Sequence, residues 1–311
     1  MKKLAVCVLA GCLAFAGWKW AVGEYGLEAQ AGPEIDARAA ILMDSETGRV
    51  LHASHADAAL PPASMSKMMT ELVLLERIGK GAIAWEEQVT VSPYAADVEG
   101  AEIGAGAGDR YTVRELFQAM TVHSANDAAI ALAEYAAGSE QKFVTWMNDR
   151  ARKIGLSDKT YFANATGLSS IDLARFEEAA AEGDTVMTAR DTAKLAAYLI
   201  REFPEVLEIT TLRDVAVEGG EASLVLRTTN QMLPGEAYAY KGNDGLKTGY
   251  TQRAGYCFTG TTQRGGKRLI AVVMGAASSE ARFTETKKLF QYGYGAQQDP
   301  VWIAQMRALL P

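Results

Sequence analysis

The amino-acid sequence predicts an α+β fold, an antiparallel sheet flanked by helices and accompanied by a mostly helical lobe. Three observations lead to this prediction. Short β-rich runs occur near both ends of the chain, capped helical segments fill its middle, and one more helix follows the last β-rich run. With 311 residues, 49% of them hydrophobic, the chain is long enough for one large domain with an inserted lobe.

Residues 1–31 are predicted to form an export signal peptide. Lys2 and Lys3 precede the apolar run Leu4–Ala16, and Ala29-Gln30-Ala31 provides an A-x-A cleavage site before Gly32. We therefore expect the mature protein to act outside the cytoplasmic membrane, on the cell-wall side, either secreted or associated with the membrane.

Two other interpretations of this segment stay open. The apolar run extended to Val22 approaches the ~20 residues of a membrane span, although Lys19 interrupts it. The segment Leu9–Cys12 is similar to a lipoprotein cleavage box. Cleavage after the signal removes two of the three cysteines and leaves Cys257 alone, so a conventional core, without a disulfide, has to stabilise the exported domain.

The mature domain is expected to span residues 32–295 and to begin with a β-hairpin of strands Ala39–Asp44 and Arg49–His52. An apolar helix led by Ser64 follows and runs to about Ile78. Four capped helices are predicted in the middle of the chain: from Thr112 to about Thr121, from near Asn126 to Ala137, from Ser139 to Ile154, and from Thr188 to before Pro204.

The C-terminal part of the domain is predicted to return to the sheet. Two β-rich runs, Gly255–Thr262 and Lys267–Gly275, precede a helix over Ser279–Tyr292. Residues 296–311 form a short tail whose apolar residues share one helical face: Trp302, Ile303, Met306, Leu309 and Leu310. We expect this tail to dock on its own domain; peripheral membrane contact is the alternative, and Arg307 is its single basic anchor.

The chemistry is predicted at the start of the first helix. Ser64 and Lys67 are three residues apart, which places them on one helix face with Cβ atoms ~5–6 Å apart. A serine beside an amine suits covalent catalysis. The same pattern recurs at Ser139-Glu140-Gln141-Lys142, where we interpret the serine as a helix cap. Ser124-Ala125-Asn126 and Lys247-Thr248-Gly249 occur once each and complete a set that supports Ser64.

A lysine is a poor base at neutral pH, because its ordinary pKa is about 10.4. Burial and a second nearby cation both disfavour the charged amine. Lys67 and Lys247 around one serine would therefore make the amine of Lys67 available as a base.

These motifs, in this order and behind a signal peptide, resemble those of low-molecular-mass penicillin-binding proteins, the serine-type D-alanyl-D-alanine carboxypeptidases. The resemblance covers roughly residues 34–294 and includes Phe162–Leu168, Asp244–Leu246 and Ala254–Tyr256. It implies the β-lactamase/DD-peptidase (transpeptidase-like) fold. It also implies removal of the terminal D-alanine from peptidoglycan stem pentapeptides, covalent inhibition by β-lactams, and no cofactor or metal.

The resemblance further implies a role for each matching residue. Ser64 would be the acyl-forming nucleophile, and Lys67 the base that takes its proton. Ser124 would relay a proton to the leaving amine, Asn126 would hold the substrate amide, and Lys247 would set the electrostatic field of the site.

Substrate binding would fall mainly to the third motif. Thr248 and Arg282 would hold the terminal carboxylate, with Gly249 in the same segment. The backbone N–H groups of Ser64 and Tyr250 would form the oxyanion hole. Tyr250 departs from many relatives, which carry a histidine here, and a C-terminal β-rich domain common among relatives is expected to be missing.

Several alternatives stay open. The site could belong to a serine β-lactamase, or to a wall-binding or β-lactam-sensing module that is acylated without turnover. Asn164 could shape the cleft as a turn residue or contact the substrate, and Arg282 could be an ordinary surface charge. A nucleic-acid partner is not expected, because the net charge is −7 and no basic patch stands out in the sequence.

Overall fold

The computed structural model describes residues 32–180, 183–219 and 223–295. The predicted signal peptide, residues 1–31, and the predicted tail helix, residues 296–311, lie outside the described residues. All the elements below belong to one unit, residues 35–295.

The strands in chain order are β1 Ala39–Asp44, β2 Val50–Ser54, β3 Gln88–Thr90, β4 Arg110–Thr112, β5 Asp214–Val217, β6 Leu224–Arg227, β7 Asn243–Thr251, β8 Gly255–Arg264 and β9 Lys267–Ala276. The helices are α1 Lys67–Gly79, α2 Pro93–Asp97, α3 Val113–Gln118, α4 Asn126–Ala137, α5 Glu140–Lys153, α6 Ser170–Leu173, α7 Ala189–Glu202, α8 Val206–Thr210 and α9 Ser279–Gly295.

A five-stranded antiparallel sheet joins the two ends of the domain in the order β2-β1-β9-β8-β7. Strand β1 pairs with β9, and Ile41 lies opposite Val272 in the register. The sheet is covered on both faces. Ile41 belongs to a large core with α1, and its neighbour Leu42 belongs to a smaller core with α9. Successive residues of a strand point to opposite faces, so every residue of β1 is buried. The predicted α+β architecture is confirmed.

The predicted helices are present, with one difference in the middle of the chain. The capping box at Thr112 forms as expected, but α3 ends at Gln118. The chain then makes a π-helical turn over Ala119–His123 and enters a left-handed conformation at Ser124. The expectation of a regular helix through Thr121 was therefore wrong. Such π turns often occur at functional sites, and this one delivers the second motif.

Helix α1 is the central element of the fold. Its residues from Lys67 to Leu75 are all buried, because helices and the sheet surround it. Its N-terminal entry is a 3₁₀ turn over Ala63–Ser66. The sequence predicted the helix but not that its first turn would be tighter. Within the described residues, no helix combines the length and apolar character that a membrane crossing requires.

Candidate active site

The amine of Lys67 lies at the centre of the site. Its Nζ atom is 2.9 Å from Ser64 Oγ, 2.7 Å from Asn126 Oδ1 and 3.0 Å from the Thr166 carbonyl oxygen. Lys67 is fully buried, whereas Ser64 is partly accessible. The buried amine of Lys67 thus has three fixed hydrogen-bond partners. Two of them are distant in sequence, and the third, Ser64, is the predicted nucleophile three residues earlier in the chain.

The segment that carries Ser64 has an unusual backbone. Ala63 has a φ of 49°, in the left-handed region that disfavours residues other than glycine. The side chain of Ser64 does not cap the turn or helix α1, since neither element has a side-chain cap bond. Ser64 is therefore not a helix cap. Strained residues persist where their surroundings hold them, commonly at functional sites.

The orientation of Asn126 is set from outside the site. Its Nδ2 atom donates to the Glu99 carbonyl at 2.8 Å, so its Oδ1 atom faces Lys67. The backbone N–H of Asn126 donates to the Ala101 carbonyl at 2.7 Å. Ser124, two residues earlier, is 5% exposed and has a φ of 71°. The π-helical turn and the start of α4 therefore bring the second motif to the amine.

A tight loop supplies the third partner of Lys67. Asn164 Oδ1 accepts hydrogen bonds from the backbone N–H groups of Thr166 and Gly167 at 3.1 and 2.6 Å. A Cβ at Gly167 would collide with the carbonyl of Ala63 and the hydroxyl of Ser66, and its φ is 83°. Of the two roles left open by the sequence, Asn164 therefore has the first: it shapes the turn. The Thr166 carbonyl was not predicted as a site atom, although its Ala-Thr-Gly segment was noted.

The third motif runs along β7 beside the serine. A Cβ at Gly249 would lie 2.7 Å from the Pro62 carbonyl and 3.1 Å from the backbone nitrogen of Ser64. Only glycine permits this approach. The backbone of β7 around Gly249 and Tyr250 therefore lies directly against the turn that carries the nucleophile.

Both lysines are buried, with 0% exposure for Lys67 and 1% for Lys247. Burial lowers the pKa of Lys67 well below its usual value, and the charge of Lys247 lowers it further. Burial also lowers the pKa of Lys247, to about 8, while Glu71 opposes this shift and Arg282 adds to it. The predicted effect of burial and of Lys247 on the amine of Lys67 is therefore present in the structure.

Arg282 lies at the far end of the motif. It is 9% exposed, and its Nη1 atom donates to the Gly249 carbonyl at 3.4 Å. Its guanidinium carbon lies 5.6 Å from the centroid of the Tyr256 ring, and Tyr256 in turn stacks on Tyr250 at 4.3 Å. The alternative of an ordinary surface charge is wrong. Burial lowers the pKa of Arg282 but leaves it cationic.

The other predicted residues of the site lie at its edge. Thr248 and Thr229 share a hydrogen bond between hydroxyls of 2.7 Å, and Thr229 was not predicted. Tyr250 is 53% exposed, so its ring is open to solvent while its backbone lies in β7. Cys257 is a free thiol on β8, as the sequence predicted, and the structure shows that it is buried.

A buried acid on α5 holds the Thr166 loop in place and was also not predicted. Glu140 Oε1 accepts from the backbone N–H of Ala165 at 2.8 Å, and its Oε2 accepts from Tyr94 at 2.9 Å. The residue belongs to the second Ser-x-x-Lys segment. No group of three or more histidine, cysteine or acidic side chains suited to a metal occurs in the described ranges.

Comparisons with known proteins agree with this geometry. A family model described as D-alanyl-D-alanine carboxypeptidase, peptidase S11, matches residues 27–278. The chain is 34% identical over 260 residues to the D-alanyl-D-alanine carboxypeptidase DacF of Bacillus subtilis, covering 83% of this chain and 62% of that protein. It therefore spans less than two thirds of the length of that curated relative.

Solved structures give the same result for the fold. Penicillin-binding protein D2 of Listeria monocytogenes, in its ampicillin-bound form, has a TM-score of 0.71 at 36% identity, over 85% of this chain and 100% of that chain. PBP3 of Streptococcus pneumoniae has a TM-score of 0.78 at 36% identity, over 84% and 74%. The predicted penicillin-binding-protein fold is confirmed.

Proposed function

The chain belongs to the D-alanyl-D-alanine carboxypeptidase family, and on this premise we propose that it is a serine-type D-Ala-D-Ala carboxypeptidase. It removes the terminal D-alanine from peptidoglycan stem pentapeptides through an acyl-enzyme on Ser64. The single observation that carries the proposal is the 2.9 Å contact between Ser64 Oγ and a fully buried amine, Lys67 Nζ.

The partners of Lys67 support its role as the base. An uncharged amine has two N–H bonds and one lone pair. Asn126 Oδ1 and the Thr166 carbonyl can only accept hydrogen bonds, so they take both N–H bonds. The lone pair then points at Ser64 Oγ, whose O–H donates to it. This geometry suits proton transfer as the serine attacks.

The reaction then follows in balanced steps. Ser64 Oγ bonds to the carbonyl carbon of the penultimate D-alanine, and its proton passes to Lys67. The oxyanion accepts hydrogen bonds from the backbone N–H groups of Ser64 and Tyr250, each worth roughly 3–4 kcal/mol. Ser124 returns the proton to the leaving nitrogen, the peptide bond breaks, and D-alanine departs. Water attacks the ester by the reverse route and restores the serine.

Recognition of a free C-terminal carboxylate is assigned to the β7 end of the site. Thr248 offers a hydroxyl, and Arg282 offers a buried cation beside Gly249. Lys247 adds a positive field, and Asn126 holds the substrate amide. A charge-assisted hydrogen bond contributes about 1.5–3 kcal/mol, which favours substrates with a free carboxylate.

The same arrangement makes β-lactams covalent inhibitors and leaves two rival functions to test. A class A β-lactamase hydrolyses its acyl-enzyme with a Glu-x-x-x-Asn element between the second and third motifs, and this pattern does not occur between Asn126 and Lys247. A sensing module would be acylated without turning over peptide, and the complete set of motifs favours an enzyme instead.

One experiment separates the three functions. The protein is incubated with a pentapeptide ending in D-Ala-D-Ala while free D-alanine is measured, and the lifetime of its penicilloyl-enzyme is followed in parallel. We expect D-alanine release and a long-lived penicilloyl-enzyme. Rapid loss of the penicilloyl group without peptide cleavage would indicate a β-lactamase, and stable acylation without D-alanine release a sensor.

We also propose that residues 1–31 are removed on export and that residues 32–295 form the catalytic domain. Mass spectrometry of the exported protein should then find Gly32 at its N-terminus. An intact N-terminus in washed membranes would support the anchor, and a lipid on Cys12 would support the lipoprotein interpretation.

A further inference from the structure

Glu140 is a buried acid in the second Ser-x-x-Lys segment, and the proposed reaction does not use it. It is the first residue of α5, directly after the cap Ser139, and is 1% exposed. Its Oε1 atom accepts from the backbone N–H of Ala165 at 2.8 Å. Its Oε2 atom accepts from the Tyr94 hydroxyl at 2.9 Å and from the backbone N–H of Ala180 at 3.1 Å. One side chain thus joins three segments that are distant from it in sequence.

The hydrogen bond to Ala165 reaches the carbonyl of Thr166. Both backbone groups of Ala165 are fixed, since its N–H donates to Glu140 and its carbonyl accepts from Thr70 Oγ1 on α1 at 2.8 Å. Ala165 is fully buried, so water does not replace either bond. The carbonyl of the next residue, Thr166, accepts from Lys67 Nζ at 3.0 Å. The direction of this carbonyl therefore depends on the peptide that Glu140 holds.

The hydrogen bond to Tyr94 reaches the side chain of Asn126. Tyr94 is buried in the short helix α2, and the segment that leaves this helix carries the Glu99 carbonyl, which accepts from Asn126 Nδ2 at 2.8 Å. That bond turns Asn126 Oδ1 towards Lys67, at 2.7 Å. A Cβ at Gly100 would lie 2.8 Å from Asn126 Nδ2, so the segment passes directly against the amide. The same acid thus anchors the helix from which this segment starts.

We propose that Glu140 is a positioning residue for the acylation step. It fixes the loop of residues 163–167, which carries the Thr166 carbonyl, and the segment of residues 98–101, which orients Asn126. These two groups are the hydrogen-bond acceptors of the Lys67 amine. The inference rests on the proposed function and adds a residue to it. Glu140 acts through the two segments, so the second Ser-x-x-Lys segment has a task in the chemistry of the first.

The amine of Lys67 needs both acceptors in place to act as a base. An uncharged amine has two N–H bonds and one lone pair, so the lone pair meets the hydroxyl of Ser64 only while both N–H bonds are held. If one acceptor shifts, the amine turns and its lone pair leaves the hydroxyl. Without the acid, the buried N–H of Ala165 has no acceptor, and the free-energy cost of an unpaired buried group favours movement of the loop.

The test separates binding from acylation, on the full chain. Stopped-flow acylation over a range of penicillin concentrations gives the rate constant at saturation and the dissociation constant of the noncovalent complex. E140M keeps the length of the side chain and removes its acceptors. We expect its rate constant at saturation to fall about tenfold or more, through misplacement of the base. The dissociation constant should change less than about twofold, because the proposed carboxylate site on β7 is built from other segments.

E140Q is the conservative variant, since its amide retains one accepting oxygen. Its rate constant should lie between those of E140M and the wild type. A rate constant of E140M equal to that of the wild type would overturn the inference. So would a raised dissociation constant with an unchanged rate constant, because the acid would then act on binding.

The matched control is D191L. Asp191 is equally buried, and its carboxylate also accepts from a backbone N–H and a hydroxyl, those of Ser157 and Thr160. Neither of these bonds belongs to the segments around Lys67, so both constants of D191L should be those of the wild type. A loss of rate in D191L equal to that in E140M would overturn the inference.

Y94F removes one donor and keeps Glu140 itself, so it decides the question if E140M does not fold. It should lower the rate constant about threefold. In N126A, which lacks the acceptor that the Tyr94 bond orients, Y94F should have no further effect. A wild-type rate constant in Y94F, or the same loss in both backgrounds, would overturn the inference.

Amide hydrogen exchange measures the loop directly. In E140M the amides of Ala165 and Gly167 should exchange about tenfold faster or more, whereas that of Leu72 in α1 should keep its wild-type rate. Equal acceleration throughout the domain would show a general loss of stability and would overturn the inference. If the wild type is not acylated by penicillin at all, the proposed function fails first, and the exchange rates of the loop keep the two failures distinct.

Discussion

The chain carries Ser-x-x-Lys twice, at Ser64 and at Ser139, and the two copies differ in whether the lysine is buried and contacts the serine. Both serines are partly exposed. Lys67 is buried and contacts Ser64, Asn126 and the Thr166 carbonyl. Lys142 is exposed and lies 5.7 Å from the centroid of the Trp146 ring.

The serine side chains differ in the same way. Ser139 Oγ accepts from the backbone N–H of Lys142 at 3.3 Å and so caps helix α5. Ser64 makes no cap bond, and its hydroxyl faces the amine. The comparison teaches that the same four-residue pattern can place its lysine against the serine or away from it. At Ser64 the lysine is buried, and partners distant in sequence occupy its other hydrogen-bonding directions.

The largest effect is expected from removing each serine in turn. Ser64→Ala should reduce both penicillin labelling and D-alanine release to background, because no other group can form the ester. Ser139→Ala should retain both activities. Labelling is measured by gel fluorescence, and D-alanine release is measured by an assay on the same samples. Labelling that survives in Ser64→Ala would reverse the assignment of the two copies.

Substituting the two lysines should give a smaller, but still large, difference in acylation rate between the variants. Lys67→Met should lower the acylation rate about 10²–10⁴-fold, the usual contribution of a positioned general base. Lys142→Met should leave it unchanged, since this side chain is exposed. Stopped-flow acylation of both variants gives the comparison, and equal rates in the two would show that Lys67 is not the base.

Arg282→Ala is expected to lower kcat/KM for a free-acid D-Ala-D-Ala peptide roughly ten- to a hundred-fold, about 1.5–3 kcal/mol of lost transition-state stabilisation. A peptide with an amidated C-terminus should be a poor substrate for the wild type and should change little. Arg201→Ala, which removes an exposed arginine paired with Glu202, is the control. If Arg282→Ala processes the free acid normally, another cation holds the carboxylate.

The pH dependence of acylation should be bell-shaped. The rate should rise with pH through the depressed pKa of Lys67, because only the uncharged amine accepts the proton of Ser64. It should fall above about pH 8 as Lys247 loses its proton, by about tenfold per pH unit. Ser139→Ala should show the same curve. A rate that keeps rising to pH 10 would mean that the charge of Lys247 is not needed.

The smallest effect concerns the free energy of unfolding, for which Ser139 should matter more than Ser64. Ser139→Ala should lower the free energy of unfolding by about 1 kcal/mol, since it removes the N-cap of α5. Ser64→Ala removes no cap and should change it less. Urea denaturation followed by circular dichroism measures both. A larger loss for Ser64→Ala would contradict the assignment of the caps.

Local patterns account for the parts of the fold that were predicted correctly. The hairpin of β1 and β2, the capping box at Thr112 and the cap at Ser139 each depend on hydrogen bonds within a few residues. The short pair β3 and β4 was missed, because three-residue strands carry almost no periodic signal. The π-helical turn before Ser124 was missed for a related reason, since no local pattern distinguishes it from a regular helix.

What the sequence determined by itself was the identity and order of the groups that are proposed to react, because serine, lysine and the three motifs can be recognised without any structure. What only the tertiary structure decided was the contacts of these groups and their proton affinity. The amine of Lys67 contacts Asn126 across 59 residues of sequence and the Thr166 carbonyl across 99. Dehydration and the field of distant charges shift the proton affinity of a lysine, and both arise from packing rather than from neighbours along the chain.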